Sequence, residues 1–129
     1  MQADQENKLR AVLACQPQLD FAVLVGSRAS GRTHADSDWD IALRWTYELD
    51  LWTVLGLTET LRQQLAQALG VGPDQVDLID LRQANLAMRA TVAQDGKVLH
   101  GKESLAWLHF LQRTWRELED WEWEQRHAA

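Results

Sequence analysis

Apolar residues recur along this chain at two periods, and segments of the two kinds alternate. Leu9, Val12 and Leu13 fall at helical spacing within residues 5–15, and Pro17 closes that segment. Residues 21–25, Phe-Ala-Val-Leu-Val, form a short continuous apolar run that stops at Gly26, the pattern of a strand buried on both faces. Residues 26–37 are polar and rich in small side chains. They read as a loop with one helical turn after Ser27. Residues 38–43 alternate, which puts Trp39, Ile41 and Leu43 on one face of a strand. Residues 50–69 carry Leu51, Val54, Leu55, Thr58, Leu61, Leu65 and Leu69 as a helical stripe, with Asp50 as N-cap and Gly70 and Gly72-Pro73 as the stop. Residues 75–81 read as a strand, 85–93 as a weaker helix, Asp95-Gly96 as a turn and 97–100 as a short strand. Residues 104–126 form a long helix with Trp107, Leu108, Leu111, Trp115, Leu118 and Trp121 on one side. The prediction is an α/β (α+β) fold: a small mixed β-sheet with helices packed on it and a long C-terminal helix.

Length and composition narrow the class. The 129 residues suit a single domain, 1–129, with a motif-bearing core at 20–101 and the helix at 104–126 available for packing or partner binding. A formal net charge of -6 argues against direct nonspecific binding of nucleic acid, because that affinity comes from cations on phosphates. One cysteine, Cys15, excludes an intrachain disulfide and an all-Cys zinc site, and it is expected to be a small buried hydrophobe. The first residues, MQADQENKLR, do not resemble a secretion signal, and no apolar run approaches the length of a membrane span. A cytoplasmic protein is expected. Seven Trp beside two Phe and one Tyr are the compositional anomaly.

Candidate chemistry lies in Gly26-Ser27-Arg28-Ala29-Ser30-Gly31 followed by Ser37-Asp38-Trp39-Asp40. A strand that ends at Gly26-Ser27 and turns into a helix start presents outward N–H groups that favour anions. Gly26 lets a phosphate approach the backbone, and the Ser27 hydroxyl adds a donor. Asp38 and Asp40, two apart in a strand, point to the same face, where two carboxylates repel unless a cation lies between them. Oxygen-only ligands select Mg²⁺. Asp77 on a neighbouring strand is the candidate third carboxylate. Asp80 has the opposite strand parity, so the two cannot both face the site. A phosphate cradle beside a carboxylate pair suits metal-assisted nucleotidyl transfer. Arg28 and Arg32 are expected to face solvent or phosphate. The spacing of Arg28 and His34 falls inside the loop and is not read as a ribonuclease motif, and the four His residues show no i, i+4 pairing for a metal.

Gly-Ser, ten residues, then Asp-x-Asp resembles the DNA polymerase β-like nucleotidyltransferase superfamily. Together with residues 76–81 and 96–101 it is similar to the minimal nucleotidyltransferases (MNT), over about residues 20–101. Ser30 stands where many members carry a basic residue. The resemblance implies the polymerase β-like fold, with Asp38, Asp40 and Asp77 as catalytic metal ligands for Mg²⁺. It also implies that Gly26, Ser27 and Arg28 bind the nucleotide, with ATP as substrate. Stand-alone members of this size resemble MntA-type antitoxins, which transfer AMP onto a tyrosine of a HEPN ribonuclease toxin (HepT) and silence it. A hetero-oligomer is then expected. The Trp-rich helix at 104–126, rimmed by Glu117, Glu119, Asp120, Glu122 and Glu124, is the candidate docking element for a basic toxin; its alternative role is packing on the sheet. Two other functions remain open at this point. One is an aminoglycoside-type small-molecule nucleotidyltransferase, although only one helix follows Gly101 to build a substrate pocket. The other is a non-catalytic antitoxin acting by binding alone.

Overall fold

The computed structural model describes residues 2–31 and 37–128. The element order is α1 (Gln2–Ala14), β1 (Leu19–Val25), α2 (Ser27–Ser30), β2 (Trp39–Trp45), α3 (Leu51–Leu69), a 3₁₀ turn (Pro73–Gln75), β3 (Val76–Asp80), α4 (Leu86–Asp95), β4 (Lys97–His100) and α5 (Leu105–His127). The strands form one sheet in the order β3-β2-β1-β4. β1 is antiparallel to both β2 and β4, while β2 and β3 run parallel. A parallel pair needs a crossover, and α3 supplies it. The mixed α/β architecture is the one the alternating periods predict.

Both faces of the sheet are covered, which explains why residues 21–25 read as an unbroken apolar run. Ala22, Leu24, Trp39, Ile41, Leu43 and Trp45 pack under α1 and α3, against Leu9, Leu13, Val54, Leu61 and Leu65. Phe21, Val23, Val25 and Ala42 face α4 and α5, against Val92 and Phe110. Each fully buried aliphatic or aromatic side chain contributes about 1.5–3 kcal/mol, so this double layer carries the fold. Trp39 and Trp45 are among the largest fully buried side chains. The indole N–H of Trp45 donates to Thr58 Oγ1 at 3.1 Å, which ties the end of β2 to the middle of α3. Three predicted helix starts hold: Asp50, Asn85 and Ser104 accept from the backbone N–H of Thr53 (2.7 Å), Met88 (2.9 Å) and Trp107 (3.1 Å).

Four readings are corrected. α1 begins at Gln2, before the apolar stripe, because its first turns are held by polar contacts. Gln2 Nε2 donates to Glu6 Oε2 and to the Arg28 carbonyl, both at 2.8 Å, and Lys97 Nζ lies 2.8 Å from Glu6 Oε1. Burial alone would raise the pKa of Glu6, but the hydrogen bonds from Lys97 and Gln2 hold it below the ordinary value. Cys15 is exposed, just past the end of α1. Leu51 and Leu55 are exposed because the buried side of α3 runs through Val54, Leu61 and Leu65, with Leu57 packed beside them.

The fourth correction concerns α5. The predicted stripe does not pack along its whole length. The helix buries Phe110 and Thr114, with Ala106, Trp107 and Leu111 packed beside them, whereas Leu108, Trp115, Trp121 and Trp123 are exposed. Twenty-three residues of helix span about 35 Å, longer than any strand beneath. Its first half is clamped by aromatic contacts of Phe21 with Trp107 (5.0 Å, edge to face) and Phe110 (5.4 Å), and the second half runs past the sheet.

Gly101 sets the entry angle of α5. It has φ +78°, and a Cβ there would lie 2.2 Å from the Asp20 carbonyl oxygen and 2.8 Å from Phe21 Cβ. Backbone cannot yield as a flexible side chain does. Gly101→Ala is therefore expected to destabilise the protein by about 2 kcal/mol or more, measured by urea unfolding.

Candidate active site

The site grows from the register of three strands. In the antiparallel β1–β2 pair, Val25 lies opposite Asp40, so the chain leaves the sheet at Gly26 directly beside that carboxylate. In the parallel β2–β3 pair, Asp40 lies opposite Asp77. Strand neighbours lie about 4.8 Å apart and share a face at equal parity, so the two carboxyl groups stand side by side. The opposite parity places Trp39 and Ile41 in the core under α1 and α3. Asp38, the first residue of the predicted strand, immediately precedes the observed β2 and is exposed.

Two observations show that these groups meet. Burial raises the pKa of Asp40 above the ordinary Asp value, and the charges of Asp77 and Asp38 raise it further. A Cβ on Gly26 would lie 2.5 Å from Asp40 Oδ2. Gly26 has φ +74°, so the absent side chain both permits the turn and leaves room for the carboxylate. Asp80 is engaged elsewhere: its Oδ1 accepts from the backbone N–H of Arg82 at 2.9 Å.

Past Gly26 the chain enters the single turn of α2, as predicted. The Gly26 carbonyl accepts from the N–H groups of Ala29 (3.1 Å) and Ser30 (3.2 Å). At a helix start the first N–H groups, those of Ser27 and Arg28, have no intrahelical acceptor and can hold an anion. Gly31, at φ +79°, closes the turn in the left-handed conformation.

Arg28 does not face solvent, one of the two placements expected of it. It is buried, and its Nη2 and Nε donate to the Ser37 carbonyl at 2.8 and 3.3 Å. Its guanidinium carbon lies 4.2 Å from the centroid of the Trp39 ring. Arg28 thus pins the residue before Asp38 to the turn after Gly26, while Gln2 holds the Arg28 carbonyl from α1. Gln2, Glu6 and Lys97 support the site, and nothing in their local periodicity marks them. Arg32 and His34 lie outside the described residues.

Among the described residues no three metal-ligating side chains converge tightly enough to hold an ion alone. The carboxylates fit a hard divalent cation that takes the rest of its shell from water and nucleotide phosphate oxygens. The raised pKa of Asp40 is the strain such a cation would relieve.

Comparison with known proteins agrees with this geometry. Residues 7–105 match the family "Polymerase beta, Nucleotidyltransferase". Two proteins named protein adenylyltransferase MntA are similar. The one from Aphanizomenon flos-aquae is 31% identical over 108 residues, covering 76% of this chain and 67% of its own. The one from Shewanella oneidensis is 36% identical over 105 residues, covering 80% and 70%. The chain belongs to the polymerase β-type nucleotidyltransferases, in their MntA branch.

Solved structures agree. A chain of a toxin–antitoxin crystal structure with AMP-PNP matches at a TM-score of 0.71 and 32% identity, over 94% of this chain and 92% of that one. A structure of a tri-AMPylated Shewanella oneidensis HEPN toxin in complex with MNT antitoxin matches at 0.67 and 31%, over 98% and 93%. The polymerase β-like nucleotidyltransferase fold that the family resemblance implied is therefore the fold of this chain.

The raised Asp40 pKa has a measurable consequence. The folded state holds the Asp40 proton more tightly than the unfolded chain does. The Asp40 contribution to stability therefore falls as pH rises from the unfolded pKa through the folded one. Asp40→Asn is expected to raise the thermal midpoint at pH 7 without added metal. The gain should shrink toward about pH 3, where the wild-type carboxyl is itself protonated.

Proposed function

We propose that this chain is an antitoxin that transfers AMP from ATP onto a tyrosine hydroxyl of a HEPN-type ribonuclease toxin and silences it. The observation that carries the reading is the register of Asp40 against Asp77 beside the Gly26 turn. The names of the relatives, protein adenylyltransferases and antitoxins seen with HEPN toxin, supply the acceptor class.

Asp38, Asp40 and Asp77 would hold Mg²⁺, which when bound would neutralise the triphosphate and stabilise charge building on the leaving pyrophosphate. The backbone N–H groups of Ser27 and Arg28 and the Ser27 hydroxyl hold the β- and γ-phosphates. Gly26 keeps the backbone bare at the point of approach. Buried against Trp39, the Arg28 side chain serves nucleotide binding by fixing the two halves of the loop that place Asp38. Asp77, exposed at the start of β3, lies where an acceptor can reach it and draws the phenolic proton. The tyrosine oxygen forms a bond to the α-phosphorus, the bond from that phosphorus to the β-bridging oxygen breaks, and pyrophosphate departs with the electron pair. A phenol, with an ordinary pKa of about 10, ionises more readily than an aliphatic alcohol.

The acceptor needs a holder, and the second half of α5 offers one. Trp121 and Trp123 are 50% and 57% exposed, between Glu119, Asp120, Glu122 and Glu124. Indoles with an acidic rim suit the basic surface of a ribonuclease.

Asp38→Ala with Asp40→Ala is expected to lower transfer of label from α-labelled ATP to the co-purified toxin by about 10³-fold or more, with circular dichroism unchanged. Label appearing only on a small molecule would favour an aminoglycoside-type enzyme. Absence of label with tight binding retained would favour neutralisation by contact. Trp121→Ala with Trp123→Ala is expected to weaken toxin binding by about 10- to 100-fold in calorimetry, with the unfolding midpoint unchanged.

A further inference from the structure

The face of the sheet that carries Asp40 and Asp77 has a second polar end. Arg44 is four residues beyond Asp40 on β2, at the same parity and so about 13 Å along the same face. Ala42, fully buried between them under the α4 and α5 side chains, separates the two ends. At the far end lies a cavity of about 480 Å³, within the range that takes a nucleotide-sized molecule.

Four arginines line that cavity: Arg44, Arg82, Arg89 and Arg113. They come from β2, from the segment after β3, from α4 and from α5. The chain has only thirteen Lys and Arg and a net charge of -6, so this gathering of cations runs against its overall balance. Two carboxylates stand against them. Asp20 lines the cavity, and Glu117 is shared by Arg89 (2.5 Å) and Arg113 (3.1 Å). Among the described residues, Arg44 and Arg82 have no carboxylate partner. Two positive charges remain unbalanced, which matches a phosphomonoester dianion better than a single carboxylate.

Three of the arginines, Arg44, Arg82 and Arg89, are also held by neutral groups. Arg82 donates to the carbonyls of Leu49 (2.7 Å) and Thr46 (3.0 Å), and Arg89 Nε donates to the Ala84 carbonyl (3.4 Å). The Arg44 guanidinium lies 4.3 Å from the centroid of the Tyr47 ring. Each guanidinium has five N–H donors, so these bonds leave donors for an oxyanion. The remaining walls, Leu81, Ala84, Ala106 and Phe110 with Tyr47 and His109, suit an apolar or aromatic body rather than a bare ion.

We propose that this cavity is a second ligand site, separate from the catalytic carboxylates, for a small phosphorylated molecule of nucleotide size with an aromatic or apolar body. The inference does not depend on the transfer reaction.

The test uses the full chain carrying Asp38→Asn and Asp40→Asn, in EDTA, so that metal-dependent nucleotide binding at the catalytic end is removed. AMP is the probe, with adenosine and inorganic phosphate for comparison. Calorimetry is expected to show one saturable AMP site, with adenosine and phosphate each binding at least about tenfold more weakly. The arginine Nε–H resonances of Arg44 and Arg113 should shift on titration. Arg44→Gln and Arg113→Gln, at half-exposed and exposed positions, should each lower AMP affinity about tenfold with the unfolding midpoint unchanged. Absence of saturable AMP binding would overturn the proposal. So would adenosine binding as tightly as AMP, or an affinity indifferent to both arginines. A cavity that accepts only a peptide of the toxin would overturn it too. Because the aspartates are already disabled, none of these outcomes bears on the transfer reaction.

Discussion

Two acidic side chains forced to stand beside each other on parallel strands are the constraint from which the rest follows. The pairing of β2 with β3 leaves Asp40 and Asp77 no route apart, because a slip of one residue would turn Trp39 and Ile41 out of the core. The register is therefore fixed by hydrophobic burial on one side of the sheet, and electrostatic strain accumulates on the other. Burial raises the pKa of Asp40, and the neighbouring charges of Asp77 and Asp38 raise it further. The fold tolerates it because the apolar face stabilises far more than one repulsive contact costs.

The two sides of the sheet divide the work. Under α1 and α3 the face is continuous apolar packing from Leu19 to Val76. Under α4 and α5 a narrower apolar plug of Phe21, Val23, Ala42, Val92 and Phe110 lies between an acidic end and a basic end. That arrangement keeps opposite charges from collapsing onto one another across the sheet and leaves each open to solvent and ligands. Arg28 and Glu6 brace the acidic end from behind, Arg28 through the Ser37 carbonyl and Glu6 through Lys97 of β4.

Much of this was legible in the residues. Alternation placed Trp39, Ile41 and Leu43 inward and so put Asp40 on the other face, and the unbroken run at 21–25 announced a strand covered on both sides. Parity showed only that Asp77 and Asp80 could not both face the site, and the parallel register is what sets Asp77 against Asp40. What was not legible came from tertiary contacts that leave no local period. The helix Gln2–Ala14 starts with polar residues whose partners, Arg28 and Lys97, are distant in the chain. The burial of Arg28 was not legible, because nothing local shows that Trp39 and the Ser37 carbonyl would hold a side chain read as facing solvent or phosphate. The stripe on α5 was real, but periodicity carries no information about where the underlying sheet ends, so the exposure of Trp115 and Trp121 could not be read from spacing, whereas Trp123 lies off the stripe. The basic cavity draws single arginines from four separate segments, which no linear motif records.

The crossover through α3 has a consequence for biogenesis. Asp40 is synthesised well before Asp77, and the whole of α3 lies between them. Until that helix docks and β3 zips alongside β2, the chain has Asp40 beside the Gly26 bend but not its neighbour Asp77. The carboxylate pair is thus assembled only on completion of the tertiary fold, and a ribosome-bound fragment ending before β3 lacks it.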